Sequence, residues 1–165
     1  MMDTVYVETT VVGHIAGRIH PNPDIAARQK KSRRWWATAS QKYHLVISQT
    51  VVDECLAGDA SAAQERLDLL VGIDRLAVTA ESQLIASRLM AANAIPLSEP
   101  RDALHVAVAA ENGIQYLVTW NFKHIANATL RSRINSVCRD FGFEPPTICT
   151  IEELEGETDD SHDAN

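Results

Sequence analysis

The chain has 165 residues, 45% of them hydrophobic, and a formal net charge of -7. That supports one domain with a substantial core, and no apolar run reaches the roughly 18 residues of a membrane span. There is no basic leader or cleavable signal pattern at the N-terminus, so the expectation is a soluble, cytoplasmic protein with no membrane partner. Cys55, Cys138 and Cys149 are odd in number and scattered, which excludes a zinc ribbon or a disulfide framework and reads as small buried hydrophobes.

Taken in chain order, Thr4 to Glu8 is β-branched and aromatic and predicts a first strand. A loop bearing Gly, Pro and Asn runs through Pro23, and Asp24 is the expected N-cap of a helix that carries the basic segment and Trp35–Trp36. His44 to Ile47 predicts the second strand. Ser48 or Gln49 opens a helix that stops at Gly58, and Asp59 caps another to about Val71. Arg75 to Val78 is a third strand, followed by a helix from Ala80 to Asn93. Ile95 to Pro100 is a proline-bounded loop, which puts Arg101 and Asp102 in the first turn of the next helix. That helix, DALHVAVAAENG, is apolar nearly all round, so it should be buried; it ends at Gly113. Gln115 to Thr119 predicts a fourth strand, NFKHI a turn with a short helix, Ala126 to Phe141 a long helix closing at Gly142, and Thr147 to Thr150 the last strand. Alternating strands and helices imply an α/β fold with a mostly parallel sheet of four to five strands and helices on both faces.

The charge is unevenly distributed. Seven of the 22 acids lie between Glu152 and Asn165, where there is no Lys or Arg, leaving 15 acids against 15 bases in the body. The division expected is a domain over 1–154 and an acidic, disordered tail over 155–165. Within the body, Arg18, Arg28, Lys30, Lys31, Arg33, Arg34 and Lys42 crowd one N-terminal segment opposed only by Asp24. This is either a solvated helix face or a patch for a phosphate backbone, with Arg33 and Arg34 at its centre.

Four residues stand where apolar elements begin or end, Glu8, Glu54, Asp102 and Asn121, and any one of them taken alone is either a cap or surface residue or part of a site. In a parallel sheet the C-terminal strand edge gathers such side chains into one pocket. Glu8 ends the first strand, Asn121 follows the fourth, and Asp102 sits in a first helical turn where the macrodipole favours an anion. Three carboxylates and an amide there suit a hard divalent cation, which would relieve their mutual repulsion.

The motifs VYVETT, DECLAGD, DALHVAVAAENG and LVTWNFKHIAN together resemble the PIN domain family, and more closely the VapC-type toxins of toxin–antitoxin pairs, over about Thr4 to Leu154. The resemblance implies a three-layer α/β/α fold, a Mg2+ or Mn2+ site and endoribonuclease activity on RNA. It also implies a cognate antitoxin that blocks the site, and a homodimer. Carried over by position, Glu8, Glu54 and Asp102 are the catalytic metal ligands and Asn121 an outer or water-mediated one. Two departures from the family pattern stand out: Glu8 replaces the usual Asp, extending the carboxylate by roughly 1.5 Å, and Asn121 replaces a fourth acid. They keep alive a second reading, a catalytically weakened PIN domain that binds RNA or an antitoxin. A third reading is a receiver or a dehalogenase-like phosphatase; the second lacks its acid two residues after Glu8, where Thr10 stands, and the first lacks an acid pair before its first strand and a strand-end lysine.

Around the four, Thr9 and Thr119 are placed either to orient waters and carboxylates or simply to cap strand ends. His105 is either a core histidine or a contact to a ligand, and His124 either locks its turn or faces the pocket. Arg101 and Lys123 flank the ligands, Lys123 as a phosphate contact and Arg101 either as one or as the partner of a nearby acid. Trp35 and Trp36 either stack on unpaired bases or pack a helix onto the sheet.

Overall fold

A computed structural model describes residues 1–156. Five strands, β1 (Thr4–Val7), β2 (His44–Ser48), β3 (Asp74–Leu76), β4 (Tyr116–Val118) and β5 (Thr147–Cys149), form one sheet in the order β3-β2-β1-β4-β5. Every pairing is parallel. Eight helices connect and cover the strands among the described residues: α1 (Thr9–Ile15), α2 (Pro23–Lys42), α3 (Gln49–Cys55), α4 (Ala60–Leu69), α5 (Ala80–Ala91), α6 (Pro100–Glu111), α7 (Arg131–Asp140) and α8 (Ile151–Glu155). The result is the expected three-layer α/β/α domain.

Parallel strands covered on both faces read as continuous apolar runs. Val5, Tyr6 and Val7 of central β1 are accordingly all fully buried, as are Leu117 and Val118 of β4. Edge strand β3 is largely exposed and carries Asp74 and Arg75, polar residues that discourage pairing with another chain. Helix α6 packs against α5 and α3, and eight of its twelve residues are buried, as its apolar composition implied. The three cysteines are free and buried, and burial pushes their thiols up to about 11 for Cys55 and Cys138 and about 12 for Cys149. They are core residues.

Several boundaries differ from the sequence expectation. The segment after β1 is a helix, α1, and not a loop. Thr9-Thr10-Val11-Val12 has β propensity, but Glu8 caps the turn through Thr10 N–H, and Val11, Val12 and Ile15 reach the core. Asn22 caps α2 instead of Asp24, accepting from the N–H groups of Asp24 and Ile25, with Pro23 as the first helical residue. NFKHI forms turns without a helix, and α7 begins at Arg131, five residues later than Ala126. Thr150 ends no strand; it caps α8 in a reciprocal pair with Glu153. The acidic tail expected over 155–165 lies, beyond Gly156, outside the described residues.

The strand order fixes where a ligand can bind. From β1 the chain moves to β2 and β3 on one side, and β4 and β5 lie on the other. The adjacent C-terminal ends of β1 and β4 therefore form a switch point, with a crevice beyond them. Glu8 follows β1 there and Thr119–Asn121 follows β4.

The cap assignment can be tested directly. Asn22→Ala should cost about 1 kcal/mol, lowering Tm by roughly 2–4 °C, while Asp24→Ala should cost less than half as much. Equal losses in thermal melts would return the cap to Asp24.

Candidate metal centre

Glu8 is 2% exposed, too deep for a carboxylate without partners. Three donors reach its Oε2: Thr10 N–H at 2.9 Å, Thr10 Oγ1 at 2.5 Å and Thr119 Oγ1 at 2.9 Å. Thr10 Oγ1 in turn accepts from Trp120 N–H at 2.9 Å, and so ties α1 to the segment after β4. Burial still dominates and raises the Glu8 pKa above the usual carboxylate range, against the opposing pull of His105 and the threonines.

Glu54, on α3, is half-buried. Its Oε1 accepts from Thr9 Oγ1 at 2.9 Å and from His105 Nε2–H at 2.5 Å. Burial pushes its pKa up, but the His105 hydrogen bond and charge, with help from Thr9 and Arg101, outweigh it and the net shift is downward.

His105 is completely buried and is the hub of the site. Beyond the bond to Glu54, its Nε2 lies 4.0 Å from Glu8 Oε1. Its Nδ1 is 2.6 Å from the Tyr6 hydroxyl, which is 2.6 Å from Ser48 Oγ. The protons of Ser48 and Tyr6 run toward the ring when it is neutral and away from it when it is charged. Burial lowers the His105 pKa, yet the Glu54 bond and the charges of Glu8, Glu54 and Asp102 outweigh it and the net shift is upward. The surrounding acids thus favour the charged form of the ring.

Asp102, in the first turn of α6, accepts at Oδ2 from Asn121 Nδ2 at 3.1 Å and His124 Nδ1–H at 3.0 Å. Burial raises its pKa, opposed by those two bonds and by the charge of His105. Asn121 Oδ1 accepts from His124 N–H at 3.0 Å, and Asn121 N–H donates to Thr119 Oγ1 at 2.9 Å. The network is therefore continuous from Asp102 through Asn121 and Thr119 to Glu8.

One pattern decides what this arrangement can hold. Each of the three carboxylates is gripped by a single oxygen: Oε2 of Glu8, Oε1 of Glu54 and Oδ2 of Asp102. No hydrogen bond among the described residues reaches the other oxygen of any of them. An unengaged carboxylate oxygen is a hard donor of the kind a small divalent cation takes, but among the described residues the group whose donor atoms lie together is Glu99, Asp102 and His124, which holds neither Glu8 nor Glu54. Asn121 contributes differently, because its amide oxygen is engaged by the turn and its nitrogen orients Asp102. Glu99, not singled out from the sequence, lies with Asp102 and His124 so that one donor atom from each falls within 4.8 Å of the others. It stands three residues before Asp102, across the start of α6, a separation with no strong sequence signature.

The remaining sequence candidates divide. Arg101 is exposed and its charge is felt by Glu54. Lys123 is exposed in the turn after Asn121, and Arg34 is exposed on α2. Arg33 is committed to the fold: its Nε donates to Ile15 O at 3.0 Å and its Nη2 to Gly17 O at 2.5 Å, fastening the end of α1. His124 both locks the turn and faces the pocket, the two roles left open from the sequence. Trp35 is 2% exposed in the core and Trp36 packs beside it. Thr10, Tyr6 and Ser48 were not expected to take part. Only the repeated threonine after Glu8 hinted at such a role, and the two hydroxyls inside apolar strands gave no signal.

The PIN domain family model matches residues 5–128, and the chain belongs to that family. Among solved structures, the chain is similar to the sarcin-ricin-loop-cleaving toxin VapC20 of Mycobacterium tuberculosis, with a TM-score of 0.56 and 19% identity over 75% of this chain and 95% of that one. It is also similar to VapBC2 from Rickettsia felis bound to a DNA fragment from their promoter, with a TM-score of 0.57 and 15% identity over 89% and 98%. No curated protein matches.

The pKa shifts predict how metal-free protein responds to pH. His105 has a raised pKa, so its contribution to stability is complete below its ordinary value near 6.5 and is lost as pH rises through the raised value. Glu8 and Asp102 are also raised, and their contributions disappear in the same direction. Glu54, lowered, contributes above its ordinary value and loses that contribution only as the medium becomes acidic. In EDTA, Tm should fall between about pH 6 and about pH 8.5, and added Mg2+ or Mn2+ should raise Tm more at the higher pH. A Tm gain from the cation independent of pH would contradict this.

Proposed function

We propose that this PIN domain is a metal-dependent endoribonuclease of the VapC toxin type, cutting RNA phosphodiesters at the centre built from Glu8, Glu54 and Asp102. The observation that carries the reading is the set of three anchored carboxylates, each with one oxygen open. Bound there, Mg2+ or Mn2+ would supply charge neutralisation of the acids, polarisation of the scissile phosphate and a water of lowered pKa. The chain's residues do the rest. Thr10 and Thr119 fix Glu8, Thr9 and His105 fix Glu54, and Asn121 and His124 fix Asp102, so the donor set is held in place before substrate arrives. Arg101 and Lys123, exposed beside the centre, are placed to meet flanking phosphates.

The family resemblance adds products with a 5′-phosphate and a 3′-hydroxyl. The architecture shared with VapBC2 supports an antitoxin partner that covers the crevice, and a homodimer belongs to the same reading. No described helix is long and apolar enough to cross a membrane. A cytoplasmic setting belongs to the same toxin reading. The acidic 155–165 segment is assigned to a tail outside the catalytic domain.

A weaker second reading, an RNA- or antitoxin-binding domain with little turnover, draws on one observation: the Asn121 oxygen is already engaged by His124 N–H. Under that reading Asn121→Asp should raise cleavage sharply.

The nuclease reading predicts Mg2+- or Mn2+-dependent degradation of RNA that EDTA stops. Asp102→Ala and Glu54→Ala should each reduce the rate by more than about a hundredfold, whereas Thr9→Ala and Thr119→Ala, which remove orienting bonds, should cost roughly 10- to 100-fold. Undiminished cleavage by Asp102→Ala in a gel-based RNA assay would sink the assignment.

A further inference from the structure

Phe122 is a large aromatic side chain, 44% exposed, immediately after Asn121. Its ring is supported from below. Trp120, only 6% exposed, lies 6.0 Å away at 57°, its indole N–H donating to Ser32 Oγ on α2 at 2.8 Å and its other side lined by the His14 ring at 5.9 Å. The Arg28 guanidinium sits 4.9 Å from the Phe122 centroid and 5.8 Å from that of Trp120. Among the described residues no carboxylate lies within ion-pair distance of Arg28. A planar cation stacked on aromatic rings and left without an acid partner is suited to a phosphate.

We propose that Phe122 and Arg28 form a subsite for one unpaired nucleotide of the substrate strand, Phe122 stacking on the base and Arg28 holding its phosphate. The inference rests on the nuclease reading for the class of ligand and goes beyond it in saying where a neighbouring nucleotide binds and why the strand must be single. The platform adjoins the carboxylate centre through the backbone, because Asn121, which orients Asp102, is the residue before Phe122. An aromatic face accepts any base that has left its helix, whereas bases inside an A-form duplex are out of reach. Base stacking thus falls to Phe122 and not to Trp35, which the fold has buried. A partner protein could cover an exposed phenylalanine, but an arginine without a matching acid beside it favours a polyanion.

The test uses the full chain in an Asp102→Asn background, so that substrate is bound but not consumed. Its readout is fluorescence polarisation of a short labelled single-stranded RNA, with the duplex of the same sequence as competitor. Phe122→Ala should weaken binding about tenfold, and Phe122→Trp should restore it. Arg28→Ala should weaken binding and lower the slope of log affinity against log salt by about one phosphate contact, with Arg28→Lys restoring the slope but only part of the affinity. The duplex should compete poorly. Unchanged affinity in Phe122→Ala with unchanged Tm would overturn the subsite and leave the face to a protein contact. Failure of Phe122→Trp to restore binding would overturn stacking, and a duplex that competes equally would do the same. These failures are separable from failure of the nuclease reading: if the protein carrying native Asp102 cleaves RNA and Phe122→Ala binds normally, only the subsite falls. If no RNA is bound or cut by the native chain, both fall.

Discussion

The site depends on His105, a fully buried imidazole that bonds Glu54, lies 4.0 Å from Glu8 and feels the charge of Asp102. Charged groups removed from water are tolerated only when each finds partners, since an unpaired ion in a low-dielectric interior costs several kcal/mol. Here one ring bonds Glu54 directly, faces Glu8, and sits one turn along α6 from Asp102. Its other nitrogen rests on Tyr6, a strand residue whose hydroxyl is pinned by Ser48. The chain of contacts runs from the sheet interior to the carboxylate edge, so the core and the site cannot be rearranged separately. A proton on His105 or a cation at this centre offsets the repulsion that assembling the acids creates.

The fold was largely legible because its signals were those that tertiary context rarely overrides. Short β-rich runs between longer helices, the Pro100 entry to α6 and the buried run after it all pointed to one parallel sheet, and the switch point followed from topology. The misreadings have a common cause. In α1, α7 and α8 the residues favour a different state in isolation, and a cap or core contact decides: Glu8 with Thr10 for α1, Thr150 with Glu153 for α8, and the turns around Asn121 and Asn127 that delay α7. Glu8 is the sharpest case, because an acid at the end of a strand can be a cap or a site residue, and here its carboxylate caps α1 through Thr10 N–H.

The acids were visible as candidates because each stands at the boundary of an apolar element, and boundaries are where a parallel sheet collects side chains. Their partners were not. Tyr6 and Ser48 sit inside strands where a hydroxyl looks incidental, and His105 inside an apolar helix reads as core, which it also is. Arg33 shows the converse error: a base in a charged run appears free for phosphate, yet two backbone carbonyls at the end of α1 claim it. Periodicity and charge report which face a residue occupies but not what it meets across the fold.

The segment after β4 joins the two halves of the picture. Thr119 reaches back to Glu8, Asn121 across to Asp102, and Ile125 is buried without any exposure, so the turn is fixed at both ends and through its middle. Trp120 and Phe122 alternate with these residues and therefore point elsewhere, Trp120 into the α2 side and Phe122 toward solvent. Because side-chain directions along so short a turn are locked together, a displacement of the aromatic pair would carry Asn121 and loosen Asp102. The same turn that orients Asp102 through Asn121 also holds the aromatic pair beside it.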